Sequence, residues 1–157
     1  ESLPTVELSD LGSLEQVVVY APVALALSVL LASVEYVILY PEPLIETWGG
    51  SEVFTFVLVV GLFVGFGEEF LFRGVLQPTI TDRAGGVVGV GLTGLLFGMM
   101  HSTSGFNGEM LFGVAVGLLL GLIYHRTSNL LIVGLIHASL NVLLYGLFPL
   151  SGPAIAF

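Results

Sequence analysis

Polar residues are sparse along this chain, and they divide it into five apolar stretches joined by short polar connectors. The stretches run from about Gln16 to Tyr40, Val53 to Ile80, Val87 to Met100, Glu109 to Tyr124 and Leu130 to Phe148. Continuous apolarity over such lengths predicts helices in or across a bilayer. The expected fold class is all-α, a polytopic transmembrane helical bundle. Residues 1–14 carry Pro4, Asp10 and Gly12 and read as a polar tail or surface segment, and residues 15–157 as one transmembrane domain. No internal repeat or linker interrupts it.

The segments differ in length. As one helix the second would reach roughly 40 Å, longer than a hydrocarbon core of about 30 Å, so it should tilt, bend or project. The third and fourth are short for lone spans, which need about 17–25 residues, and are expected to be shielded inside the bundle. Gly113, Gly117 and Gly121 repeat every four residues on the fourth, a spacing that lets a neighbouring helix approach closely.

Composition agrees with the pattern. The chain of 157 residues is 55% hydrophobic and 10% charged, with a mean hydropathy of +1.03. That is too little charge to cover a soluble domain, and the natural solvent is lipid. There are three basic residues, all arginine, against twelve acids, for a net charge of −9. Nucleic acid is excluded as a partner, because no basic stripe exists to meet it. An acidic, lysine-free balance is the composition of a halophilic source. Cysteine is absent, which removes disulfides, thiol nucleophiles and zinc–thiolate clusters.

Ionisable residues inside apolar segments are the informative ones, since each costs at least about 2.5–3.5 kcal/mol near the bilayer centre. The second segment holds Glu68, Glu69 and Arg73. Glu69 and Arg73 are four apart and share a helix face, so they can pair; Glu68 lies about 100° around the helix and points to a different neighbour. The third segment ends in Phe97 and His101, and the fifth carries His137 and Asn141, each pair again four apart on one face. Glu35 lies near the end of the first segment, where it can snorkel or meet a partner. Trp48 and Tyr40 suit an interfacial aromatic belt. Ser28, Ser33, Thr93 and Ser139 can bond back to their own helices and are assigned no chemistry.

Three segments thus bring polar groups that could form one intramembrane site. Carboxylates and histidines can activate water, and histidine with asparagine can donate to an oxyanion. No serine sits in a Gly-x-Ser-x-Gly turn and no cysteine exists, so water is a better nucleophile than a side chain. Zinc is conceivable on carboxylate and imidazole, but His-Glu-x-x-His is absent.

Glu68-Glu69-x-x-x-Arg73, Phe97-x-x-x-His101 and His137-x-x-x-Asn141, in this order on successive apolar segments, resemble the three motifs of the CAAX protease and bacteriocin-processing (abortive-infection) family of intramembrane endopeptidases. The resemblance covers about Val53 to Tyr145. It implies a water-accessible cavity within a helical bundle, in the cell membrane of a prokaryote. It implies Glu68 as the base that activates water, His101 holding that water, and His137 with Asn141 as the oxyanion hole. Glu69, Arg73 and Phe97 would be supporting residues, and no metal or other cofactor would be needed. The implied partners are membrane lipid and a peptide or protein substrate, prenylated or otherwise membrane-associated. Two other readings use the same residues: a zinc protease on Glu68, His101 and His137, and a non-catalytic transporter or scaffold with a proton relay.

Overall fold

A computed structural model describes residues 11–102 and 107–151, and over these it holds helices and no strand. Helix α1 spans Leu14–Leu39, α2 Gly50–Ala84, α3 Gly86–Met100, α4 Gly108–Thr127 and α5 Leu130–Ser151. Local chemistry explains where they start and stop. Asn107 and Asn129 cap α4 and α5 by accepting from the backbone N–H of Met110 and Ile132. Gly85, at φ +88°, makes the sharp break between α2 and α3. Tyr40 and Ser128 close α1 and α4 in the left-handed conformation. The polar tail expected over residues 1–14 falls mostly outside the described residues, and Leu14 already belongs to α1.

Among the described residues four helices are long and apolar enough to cross a membrane, and α3 is a shorter apolar helix. The protein is an integral membrane protein. The fourth segment is a full-length candidate span of 20 residues rather than a shielded short one. Asn107 starts its helix early, and His125 to Thr127 extend it past the apolar run. Nor is α3 shielded. It buries Gly94, Phe97 and Gly98 on one face and exposes Val87, Leu95 and Met99 on the other.

The buried helix is α5. Its most apolar stretch is 56% buried, against 17–28% for the other candidate spans. It packs on α1, on the first half of α2 and on α4. Between lipid-embedded helices the hydrophobic effect gives little attraction, so close packing and hydrogen bonds must hold them. Both are present. The Ser28 hydroxyl bonds back to Ala24 O, as expected, and also crosses to Ile136 O on α5, both at 2.9 Å. Helices α3 and α4 meet along glycines. A methyl group on Gly117 would lie 2.8 Å from the carbonyl oxygen of Gly94 and 2.9 Å from its Cα, so only glycine fits.

Helix α2 runs unbroken for 35 residues. It widens into π-type turns over Val57–Phe66 and Phe70–Leu76, on either side of the α-helical turn Gly67–Glu69. Such widening is frequent beside functional residues.

Candidate active site

One face of α2 is a polar ladder with a four-residue step. Glu69, Arg73 and Gln77 are all fully buried. Arg73 Nη1 donates to Glu69 Oε1 at 2.8 Å, the pairing that their spacing predicts. Its Nη2 donates to Gly117 O at 2.8 Å, and Gln77 Nε2 donates to Gly121 O at 2.8 Å. The glycine repeat on α4 therefore allows close packing and also leaves backbone carbonyls open to side chains of α2. The Arg73 guanidinium lies 4.8 Å over the Phe97 ring, a cation–π contact. Gln77 carries no apparent charge cost in the sequence and is not among the predicted residues; its four-residue step from Arg73 is the signal that could have found it.

Glu69 has a second partner. His137 Nδ1 donates to Glu69 Oε1 at 2.8 Å, so one carboxylate oxygen joins α5 to the arginine of α2. This fixes the imidazole and aims its Nε2 at Glu68, 3.9 Å from Oε2. His101 reaches the same oxygen from the end of α3, with Nε2 also 3.9 Å from Glu68 Oε2. Its Nδ1 is 2.8 Å from the Phe97 carbonyl, which can only accept. The His101 proton is thus assigned to Nδ1, and Nε2 faces Glu68 as a lone pair.

Phe97 is the common floor. It is 2% exposed, edge-on to Phe72 and His137, and 4.6 Å between centroids from the His101 ring. Above it is a cavity of about 80 Å3 lined by Glu68, His101, His137 and Asn141, with Gly113 and Val116 of α4 opposite. All four residues expected to act on substrate therefore line one cavity, and Glu69, Arg73 and Phe97 sit directly behind them.

The cavity is polar and unsatisfied. Glu68 Oε2 is buried without a hydrogen-bond partner, and Asn141, 7% exposed, bonds no described residue. Buried polar atoms are rarely left so. A separation of 3.9 Å is too long for a direct hydrogen bond and short enough for one water to bridge. The volume holds a few waters. Glu68, His101 and His137 are also the donors that zinc would use. Among the described residues no three histidine or acidic side chains are spaced to share a metal ion.

Two residues that the sequence reading did not place here also line the cavity. Tyr145 follows Asn141 by one turn on α5, and Glu35 comes from α1. Glu35, expected to snorkel or to meet a partner, is half-buried and lines this cavity from α1. A much larger groove, about 770 Å3, runs along α1, α2 and α5 and is lined by apolar residues such as Leu25, Leu62, Phe66 and Val142. It contains none of the predicted residues.

The sequence profile of the Rce1-like family, described as type II CAAX prenyl endopeptidase, matches residues 50–143. This chain belongs to that family. The matched region runs from the start of α2 into α5 and contains every cavity residue except Glu35 and Tyr145. No curated protein and no solved structure matches the chain significantly. Membership makes it a member of a protease family whose substrate is a peptide or protein reached in the membrane.

Proposed function

We propose that this protein is a glutamate-dependent intramembrane endopeptidase in which Glu68 activates water against a peptide bond. The observation that carries the reading is the buried Glu68 Oε2, unpartnered and faced by two imidazole Nε2 atoms at 3.9 Å.

A water held between Glu68 and the His101 lone pair gives its proton to the Glu68 carboxylate as its oxygen attacks the carbonyl carbon. The negative charge moves to the carbonyl oxygen. Asn141 Nδ2 is the donor for that oxyanion, because its amide lines the cavity and bonds no described residue. His137 serves as a second donor only when its ring is doubly protonated, since Nδ1–H already bonds Glu69. Glu68 then passes the proton to the leaving nitrogen as the C–N bond breaks. Glu69 and Arg73 orient His137 and stay out of the proton traffic. A lipid-attached substrate, prenylated or not, would find apolar surface in the groove along α1, α2 and α5. The wider grouping with bacteriocin-processing and abortive-infection proteins, and a place in a prokaryotic cell membrane, belong to the same proposal.

The test is a cleavage assay with reconstituted protein, comparing wild type with Glu68→Gln. Loss of cleavage with retained thermal stability is expected, and full activity in the variant would sink the reading. Metal analysis of the active protein decides the zinc alternative: stoichiometric zinc with chelator-sensitive cleavage would replace Glu68-held water by metal-held water. Proton flux in liposomes that depends on Glu68, without any proteolysis, would favour a transporter.

A further inference from the structure

Water activation leaves one carboxylate of the cavity unused. Glu35, one turn from the end of α1, is half-buried and lines the same cavity as Glu68, His101, His137 and Asn141. It is within electrostatic reach of His137 and of Glu109 at the start of α4. Tyr145, on the opposite wall, is within reach of Glu35, Glu68 and Glu109 together. Carboxylates from α1, α2 and α4 therefore bear on one small space.

No lysine or arginine lines this space, and the imidazoles of His101 and His137 are the groups that can set positive charge against the carboxylates. The chain has no lysine and three arginines. Arg73 is engaged by Glu69, by the Gly117 carbonyl and by the Phe97 ring. Arg83 and Arg126 stand in the last turns of α2 and α4, at the opposite end of the bundle from Glu109 and His101. The connector on the cavity side, between α1 and α2, adds Glu42 and Glu46, and residues 103–106 add no ionisable side chain. A low-dielectric cleft whose only fixed charges are carboxylates, with neutralisable imidazoles as their sole counterpart, draws a ligand of the other sign. Independently, Asn141 is 7% exposed, lines the cavity and bonds no described residue, and Glu68 Oε2 is buried without a hydrogen-bond partner, so the space is built for a polar ligand.

We propose that Glu35 is a specificity residue that receives a positive group of the substrate beside the scissile bond, a lysine or arginine side chain or an α-ammonium. The same field rejects a free carboxylate at that position. The proposal rests on the reading of the cavity as a peptidase site. It gives Glu35 a task distinct from that of Glu68, which must stay free to take a proton.

The test uses three N-dodecanoyl peptide amides, identical except for Lys, Gln or Glu at one position. Binding is measured on the full chain carrying Glu68→Gln, which holds peptide without turnover, with and without Glu35→Gln or Glu35→Asp. The Lys peptide should bind Glu68→Gln at least tenfold more tightly than the Gln peptide, with the Glu peptide weakest. Adding Glu35→Gln should erase the difference, and Glu35→Asp should keep part of it. Equal binding of the three peptides to Glu68→Gln overturns the proposal without needing any Glu35 variant to fold. A uniform loss of all three on Glu35→Gln overturns it as well, since Glu35 would then be structural. Cleavage by wild type is read separately. A Lys preference in binding with no cleavage of any peptide breaks the peptidase reading and leaves the charge preference standing. Cleavage without preference does the reverse.

Discussion

Helix α5 carries one buried polar cluster at its start and another near its middle, and the two are built differently. At its start, Asn129 is fully buried and saturated. Its Oδ1 accepts from the Ile132 N–H, and its Nδ2 donates to Ser13 O at 2.9 Å and Gln16 Oε1 at 3.1 Å. Two turns on, His137 has given Nδ1 to Glu69, but Asn141 bonds no described residue and Glu68 Oε2 has no hydrogen-bond partner. Both clusters sit in the same apolar bundle, where an unmet polar group is costly. The saturated cluster ties α1 to α5 and has nothing left to offer a ligand. The unsaturated one keeps its hydrogen-bonding capacity in reserve, as a binding cavity must. Saturation thus separates these two clusters of α5, whereas the ladder of α2 lies between them: Glu69, Arg73 and Gln77 are each bonded, yet each keeps one unpartnered buried atom.

Four substitutions probe that contrast. Arg73→Ala should have the largest effect, about 3–5 kcal/mol of stability, because it strands buried Glu69. Thermal unfolding in detergent checks it, and a wild-type melting temperature would mean that the Glu69–Arg73 pair is not what holds α2 against α4. Glu68→Gln should lower kcat about 10²–10⁴-fold, the usual range for a general base, at unchanged stability. A parallel loss of stability would place Glu68 with Asn129 as a structural group. Asn129→Ala should do the opposite. It should cost about 1–3 kcal/mol of stability by leaving buried partners unmet, with near-normal turnover well below the melting temperature. Ser28→Ala should have the smallest effect, about 0.6 kcal/mol, typical of one hydrogen bond between membrane helices. A larger loss would show that the α1–α5 contact depends on that single hydroxyl.

The sequence makes the helices and the motif pairs legible for physical reasons. An ionisable residue in an apolar run is conspicuous, and a four-residue step means one face whatever surrounds the helix. That suffices for Glu69 with Arg73, Phe97 with His101 and His137 with Asn141. It does not tell which way a helix turns. Helix α1 is apolar on nearly every side, so no stripe indicates its inward face, and Glu35 near its end reads as equally able to point out to solvent. Tyr145 is one more four-residue step along α5, but tyrosine is unremarkable near a helix end. Gln77 is neutral, and its burial depends on the carbonyl that Gly121 leaves accessible on another helix. The length of α4 was hidden because the polar residues at its ends are helical rather than loop.

Helix α3 has 15 residues and so rises only about 22 Å, less than the thickness of a hydrocarbon core. It ends at His101, on the side of the bundle away from Arg83 and Arg126. In a bilayer of that thickness α3 alone covers less of the core than the longer helices beside it. For the proposed reaction, a helix that stops short of one face favours entry of water from the side of His101. On that proposal the compartment that supplies the water is also the one into which a soluble fragment is released, and membrane insertion decides which compartment that is.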